Sequence, residues 1–243
     1  MTTVEMTPQQ AAHETRDSIV TVASRFMTDP VSYAYGNDLG FEGMDFYVAG
    51  RGGVLGDTPA GVVAAAFVFF APEVVEAAWE RSRSVMSRAE AASEWAGRCH
   101  VTARERFPED FEWGTLAGML GRVVDAASVA GAPLFAGWRA LPEPDDAPAL
   151  ALHRLNALRE LRGALHGAAV LTVGLSPVEA ILVRTPGMIS TFGWQEAPSD
   201  AAPFNERWAL AEARTDRMFG RHLAVLDAHE RGTLVELLGT LNS

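Results

Sequence analysis

LRELRGALHGAAVLTVGLSPVEAILVRT, the stretch from Leu158 to Thr185, decides the fold. Two apolar helical runs flank a short segment that contains Gly174, Ser176 and Pro177. Serine is a preferred residue immediately before a helix, and proline is well tolerated at the first helical position. The stretch therefore predicts a helix, a turn and a second helix, and it raises the question whether this element reads DNA.

Helical periodicity recurs along the rest of the chain. Alanine, glutamate, arginine, leucine and valine dominate the sequence, and apolar residues return at the spacing of amphipathic helices. This pattern predicts a mostly α protein. Helices are predicted over residues 8–27, 60–70, 73–83, 84–106, 113–130, 149–159, 161–173, 177–183, 204–226 and 228–241.

The segment 131–148 contains four prolines and is predicted to be a linker. It would separate an N-terminal helical half (1–130) from a C-terminal winged helix-turn-helix-like half (149–243). The run 184–194 has turn residues followed by β-branched and aromatic ones, which predicts a short β wing. The expected fold is thus an all-α, multi-helix, winged-helix-like architecture with one small wing.

A short internal echo leaves the origin of the two halves open. Residues 55–67 and 173–185 share a glycine, a hydroxyl residue, a proline and then an apolar helix. The echo is consistent with a duplication of helix-turn-helix-like halves. It is equally consistent with two unrelated helix starts, because this combination of residues is common there.

Composition excludes several classes of function. The formal net charge is −11, and all basic residues are arginine, so a Schiff base on lysine is excluded. The single cysteine, Cys99, cannot form an intramolecular disulfide and fits a reducing compartment. The N-terminus is polar, and the most apolar run (61–75) is too short to span a bilayer. We expect a cytoplasmic protein with no membrane partner.

The first helix of the stretch carries Arg159, Arg162 and His166 along one stripe. This stripe is either a solvated polar face or the wall of a pocket between the two halves. In the pocket interpretation, Arg51 from the glycine-rich run AGRGGVLG joins it, and the guanidinium groups bind an anionic or carbonyl-bearing ligand. Glu160 lies beside them. The aromatic residues predicted to line the pocket are Phe46, Tyr47 and Trp194.

The second helix of the stretch, 177–184, is poorly equipped to read DNA. It offers Glu179 and Arg184 and is otherwise apolar, whereas base readout needs several polar or basic side chains. Arginines in the last two predicted helices alternate with acidic residues, which is typical of solvated faces or dimer contacts. DNA binding is therefore disfavoured, and a homodimer is expected. No spacing typical of a metal or cofactor site occurs, so neither is predicted.

Five segments, spread over about residues 8–241, add a resemblance to these patterns. They are FYVAGRGGVLG, PAGVVAAAFVFFAPEVV, GAPLFAGWRALPEPDDAP, ALRELRGALHGAAVLTVGLSPVEAIL and EARTDRMF. In order and spacing they resemble an actinobacterial helix-turn-helix family with a winged-helix-type C-terminal region. Its outline is similar to MarR-like proteins, which implies a dimer that binds small aromatic or acidic ligands and DNA.

One departure from the resembled family falls on the polar stripe. Members have His and Asp where this chain has Leu161 and Ala164, while Arg159, Glu160 and Arg162 are kept. So dense a polar run on one helix indicates a site, and the two losses indicate a changed ligand.

Three functions follow from the sequence. The first is a small-molecule-binding protein with weak or no DNA binding. The second is a MarR-like transcriptional regulator. The third is a cofactor-independent cyclase, isomerase or lyase of specialised metabolism that uses Glu160 or His166 as a general acid or base.

Overall fold

The stretch that decides the fold forms a long central helix, a tight turn and a shorter helix. The computed structural model describes residues 5–242, and these residues contain no β-strand. The helices are α1 (Pro8–Thr28), α2 (Pro30–Asp38), α3 (Asp45–Gly52), α4 (Ala60–Phe67), α5 (Pro72–Ser82), α6 (Arg88–Arg106), α7 (Trp113–Ala126), α8 (Pro133–Arg139), α9 (Ala147–Thr172), α10 (Pro177–Arg184), α11 (Asn205–Leu223) and α12 (Ala228–Asn242). The all-α prediction is confirmed.

The turn between α9 and α10 has the chemistry that the sequence predicts. Gly174 adopts a positive φ of 75°, a conformation that costs glycine little. Ser176 and Glu179 form a capping box, in which the Glu179 backbone N–H donates to the serine hydroxyl and the Ser176 N–H donates to the glutamate carboxylate. The two helices meet at 110°, within the range typical of a helix-turn-helix.

Helix α9 is the centre of the molecule. It is predicted as two helices but runs unbroken, and it packs against α1, α6, α7, α8 and α11. Because neighbours surround it, even its polar side chains are buried. They include His153, Asn156, Glu160, Arg162 and His166, of which His166 is the most exposed at 8%. The interpretation of the arginine stripe as a solvated face is therefore wrong for Arg162 and His166.

The proline-rich segment 131–148 contains helix α8. Pro133 occupies the first turn of this helix, a position where the missing N–H of proline costs nothing. Phe135 and Trp138 are fully buried, and the Trp138 indole donates to the His153 carbonyl at 2.9 Å. Apolar residues from both sides of the segment share one hydrophobic core. The division into two halves stays a prediction.

The predicted β wing is wrong. Residues 186–188 form a 3₁₀ turn, and the bonds that follow are local: Phe192 N–H donates to the Met188 carbonyl, and Trp194 N–H to the Ile189 carbonyl. Two further bonds fix the segment to the loop after α4, because Ala71 N–H donates to the Phe192 carbonyl and the Trp194 indole to the Phe69 carbonyl. The backbone groups that a wing would pair between strands are used in these turns.

Among the described residues, no single helix is long and apolar enough to cross a membrane. Helices α9 and α10 taken together have the length and composition of a membrane span, but the chain bends by 110° between them.

Candidate functional site

A large cavity opens beside the helix-turn-helix. This outer cavity has a volume of about 1020 Å³ and lies among α1, α9, α10 and α11. Phe69 and Phe192, from the two loops that are bonded to each other, also line it. Its titratable lining residues are His13, Glu14, Arg16, Asp17, Arg162, His166, Arg184, Glu212 and Asp216.

A smaller cavity of about 220 Å³ lies on the α3 side of α9 and is called the inner pocket here. Its polar wall comes from Tyr47, Arg51, Arg159 and Glu160, and aromatic rings of the α4–α5 region close it. The two cavities share a wall, because both are lined by Val20, Phe69, Arg162, His166 and Phe192.

Glu160 is the anchor of the inner pocket. Arg51 donates to both of its carboxylate oxygens at 2.8 Å, and Arg159 donates to Oε1 at 2.8 Å. Arg51 also donates to the Tyr47 hydroxyl at 3.1 Å. Burial alone would raise the pKa of Glu160, but the two guanidinium groups outweigh it and lower that pKa. Burial would likewise lower the pKa of Arg51, and Glu160 raises it instead. Glu160 and Arg51 are therefore both charged at neutral pH.

His166 stands in the wall between the two cavities. Its Nδ1 lies 3.0 Å from the Thr215 hydroxyl and 3.5 Å from the Glu212 carboxylate. The Thr215 hydroxyl donates to the Ala211 carbonyl at 2.8 Å, so it can only accept from the histidine. We therefore assign the proton to Nδ1. The other ring nitrogen, Nε2, keeps its lone pair and has no hydrogen-bond partner within residues 5–242.

Two aromatic side chains hold the His166 ring. The Phe69 ring centroid lies 5.7 Å away, and the Trp208 ring meets the imidazole edge to face at 5.0 Å. Burial, with a contribution from Arg162, lowers the pKa of His166 to about 4. The imidazole is thus neutral at pH 7 and acts there as a fixed hydrogen-bond acceptor.

Every arginine of the outer cavity is already paired with a carboxylate. Arg162 donates to Glu212 at 3.0 Å and lies 3.7 Å from Asp216, and Arg184 donates to Asp17 at 2.5 Å. Three arginines face four carboxylates in the lining as a whole. The charge of the outer cavity is thus balanced with a slight acidic excess.

A comparison with protein-family models matches residues 12–243 to a family described as "Helix-turn-helix family". The chain belongs to this helix-turn-helix family. No curated protein and no solved structure matched the chain. The match says nothing of an actinobacterial origin or of MarR-like similarity, which stay predictions.

In this helix-turn-helix protein, the second helix contributes to the cavity. Ala180, Ile181 and Arg184 of α10 line it, and the bond from Arg184 to Asp17 ties α10 to α1. The helix that would contact DNA in such an element is therefore one wall of the outer cavity. A molecule in the cavity would touch that helix directly.

The structure brings most of the predicted site residues together. Arg51, Tyr47, Arg159 and Glu160 line the inner pocket, and Arg162 and His166 line both cavities. Two aromatic residues lie elsewhere. Phe46 is packed against Trp95 and Phe41 in the core. Trp194 lines neither cavity, but its indole donates to the backbone carbonyl of Phe69, which lines both.

Helix α11 supplies the residues that the sequence did not indicate. Trp208, Glu212, Thr215 and Asp216 complete the site, but the mixed charges of α11 are typical of a solvated or dimer-forming helix. One feature of the sequence does point to these residues. Ala211, Thr215 and Phe219 form a buried stripe that brings the adjacent Glu212 and Asp216 toward the protein.

Within the described residues, no group of three or more His, Cys, Asp or Glu side chains is placed to hold a metal ion. Two histidines do form a pair in the core, since His100 Nε2 lies 3.0 Å from His153 Nδ1. Burial and the neighbouring His100 lower the pKa of His153 to about 4.

Proposed function

We propose that this helix-turn-helix protein binds a small molecule in the outer cavity. The observation that carries the proposal is a cavity of about 1020 Å³, bounded by both helices of the helix-turn-helix, in which His166 presents an unpartnered Nε2. Ligand sites are commonly concave, hundreds of Å³ in volume and apolar apart from a few fixed polar groups. The outer cavity has such a volume, and Phe69, Phe192 and Trp208 give it an apolar surface between charged residues that are largely paired with each other.

The wall composition defines what the cavity would accept. The His166 lone pair accepts a hydrogen bond, so the ligand would offer a hydroxyl or amino donor there. Phe69 and Trp208 beside the imidazole would pack on an aromatic or other apolar body. The arginines here are already paired, so an anion in this part of the site would compete with Glu212 and Asp17.

We expect His166→Asn to weaken binding of small aromatic donors, such as phenols and anilines, by about tenfold. Asparagine can keep a donor near the Nδ1 position for Thr215 but has no group at the Nε2 position. His166→Gln places an amide near Nε2 and should retain more of the affinity. Isothermal titration calorimetry on hits from a thermal-shift screen measures both.

His229→Asn is the matched control, because this exposed histidine lies outside both cavities. Equal affinities in the wild type and in His166→Asn would contradict the role of Nε2. A screen in which no small aromatic molecule raises the melting temperature would contradict ligand binding itself.

A second candidate function is a ligand-responsive transcriptional regulator that is MarR-like in outline. Family membership and the 110° angle between α9 and α10 favour it. The net charge of −11 and the small number of polar side chains on α10 argue against strong DNA binding. A ligand touching Ile181 or Arg184 would displace the helix that reads the operator.

We expect only weak binding of DNA fragments from the gene's own upstream region, and binding that falls steeply with salt. A gel-shift titration at low salt, with unrelated competitor DNA, measures it. Arg184→Ala should change the weak affinity by less than about threefold, because one phosphate contact contributes little. A retarded complex that survives excess competitor would instead make regulation the leading function.

The third function, an enzyme that uses Glu160 or His166 as a general acid or base, is not favoured by the site. The Glu160 carboxylate is held by Arg51 and Arg159 with a lowered pKa, so at neutral pH it has no proton to donate. His166 has a pKa of about 4 and is a weak base. The homodimer and the cytoplasmic location stay predictions.

A further inference from the structure

We infer that the ligand carries a carboxylate or another anionic oxygen group, and that this group enters the inner pocket beside Arg159. The inference rests on the proposed function and names the chemical class of the ligand. It follows from the opposite charge balance of the two adjacent cavities.

The inner pocket holds one positive charge more than its own carboxylate neutralises. Arg51 and Arg159 share the single carboxylate of Glu160. The side chains of the three residues are 11%, 17% and 2% exposed, in that order. A buried charge is costly unless it is paired, and an anionic ligand would supply the missing partner.

Arg159 has free hydrogen-bonding capacity for that partner. Arg51 uses a hydrogen on each of its three nitrogens, because Nε and both terminal nitrogens bond Glu160 and Tyr47. Arg159 uses only one terminal nitrogen, and its buried Nε has no partner among the described residues. The buried Nε of Arg162, in the shared wall, is also unpartnered. Guanidinium groups with free N–H groups bind carboxylates in preference to neutral acceptors.

The outer cavity has the reverse character. Its lining has an excess of carboxylates, and Oδ1 of the buried Asp216 has no hydrogen-bond partner in the described part of the chain. Because Asp216 Oδ1 lies 3.7 Å from Arg162, the free Nε2 of His166 is the acceptor that a donor on the ligand would reach. A ligand that matches both cavities is therefore acidic at one end, with an amino or hydroxyl group on an apolar body at the other.

The size of the inner pocket limits the acidic end. Its 220 Å³ corresponds to the liquid volume of roughly seven waters, enough for a carboxylate with a short chain or one ring. The bulk of the ligand must then lie in the outer cavity. The acidic group would reach Arg159 past the shared side chains Phe69, Arg162 and His166.

The experiment compares matched aromatic acids and alcohols. The probes are 4-(4-aminophenyl)butyrate, its alcohol 4-(4-aminophenyl)butan-1-ol, and a panel of shorter arylalkanoates with their amides and alcohols. We expect each acid that binds the wild type to bind at least tenfold more tightly than its neutral partner. Arg159→Gln should abolish this preference, and Arg159→Lys should retain part of it because the charge remains.

Arg154→Gln is the control, since Arg154 lies on the same helix but pairs with Glu143 outside both cavities. It should keep the full preference for acids. Equal binding of acids and neutral partners, or a preference that survives Arg159→Gln, overturns the inference and leaves the proposed function standing. If no member of the panel binds at all, the proposed function fails, and the inference fails with it.

Discussion

Glu160→Gln is expected to lower the free energy of unfolding by about 3–5 kcal/mol, the usual cost of removing one partner from a buried ion pair. The Glu160 side chain is 2% exposed, and within residues 5–242 it is the sole carboxylate that bonds Arg51 and Arg159. Glutamine keeps the shape but removes the charge, so two guanidinium groups would remain buried without an anion. Its amide N–H groups would also face the arginine donors.

Glu143→Gln provides a matched control, because its partner Arg154 lies on the same central helix as Glu160. Arg154 donates to both Glu143 oxygens at 2.8 and 2.7 Å, the same two-bond arrangement that joins Arg51 to Glu160. The Glu143 side chain is 41% exposed, so water replaces much of the lost interaction, and the cost should stay below about 1 kcal/mol. Urea unfolding of both variants measures the difference. Equal losses would mean that burial does not decide the strength of the Glu160 cluster.

Arg159→Gln should be far less costly than Glu160→Gln, although it breaks the same cluster. It leaves one arginine on one carboxylate, because both Glu160 oxygens remain bonded to Arg51. If Arg159 contributes little to stability but much to the binding of carboxylic acids, its role is to bind a ligand.

The sequence predicts the helix-turn-helix itself because its signals are local. Ser176, Pro177 and Glu179 act within four positions of one another, and the polar stripe of α9 is visible as a helical repeat. Four of the six predicted site residues that reach the two cavities lie on this helix, whereas Tyr47 and Arg51 come from α3. Which carboxylate meets which arginine is not local. Arg51 and Glu160 are 109 positions apart, and Arg162 and Glu212 are 50 apart.

Burial of α9 on all sides is the second feature that the sequence does not give. A polar stripe on a helix is compatible with solvent and with a cavity, and only the packing of α1 and α11 decides between them. Pro133 shows the same ambiguity, because proline begins a helix as readily as it marks a linker. The wing fails for a similar reason. Residues 184–194 have strand-like composition, but a strand needs a neighbour, and local turns satisfy this backbone.

Acidification from pH 7 to pH 5 should lower the free energy of unfolding by about 4 kcal/mol, or about 2 kcal/mol for each of two buried histidines. His153 and His166 both have a pKa of about 4 in the folded protein, whereas an unfolded histidine titrates near 6.5. Between these values the unfolded chain binds more protons than the folded one. Stability therefore falls as the pH drops below about 6.5, and the two histidines contribute no pH dependence above pH 7.

The charged groups around His153 and His166 do not reverse the loss of stability at low pH. His153 faces His100, Glu143 and Arg154, and burial outweighs the single carboxylate among them. His166 faces two carboxylates, on Glu212 and Asp216, and two arginines, and burial again outweighs the rest. The lowered pKa of His100 adds a contribution of the same sign. Burial of the imidazoles, and no single neighbouring charge, is therefore the source of the acid sensitivity.

Single substitutions can show how much of the pH dependence of stability comes from each of the two histidines. His153→Asn and His166→Asn should each reduce the difference in unfolding free energy between pH 7 and pH 5 by about 2 kcal/mol. His229→Asn, at an exposed position, should leave it unchanged. Urea titrations at both pH values give these differences, whatever each variant costs at pH 7. A wild-type stability that is equal at pH 7 and pH 5 would mean that neither His153 nor His166 has a lowered pKa in the folded protein, and the Nε2 of His166 would then carry a proton and act as a donor below about pH 6.5.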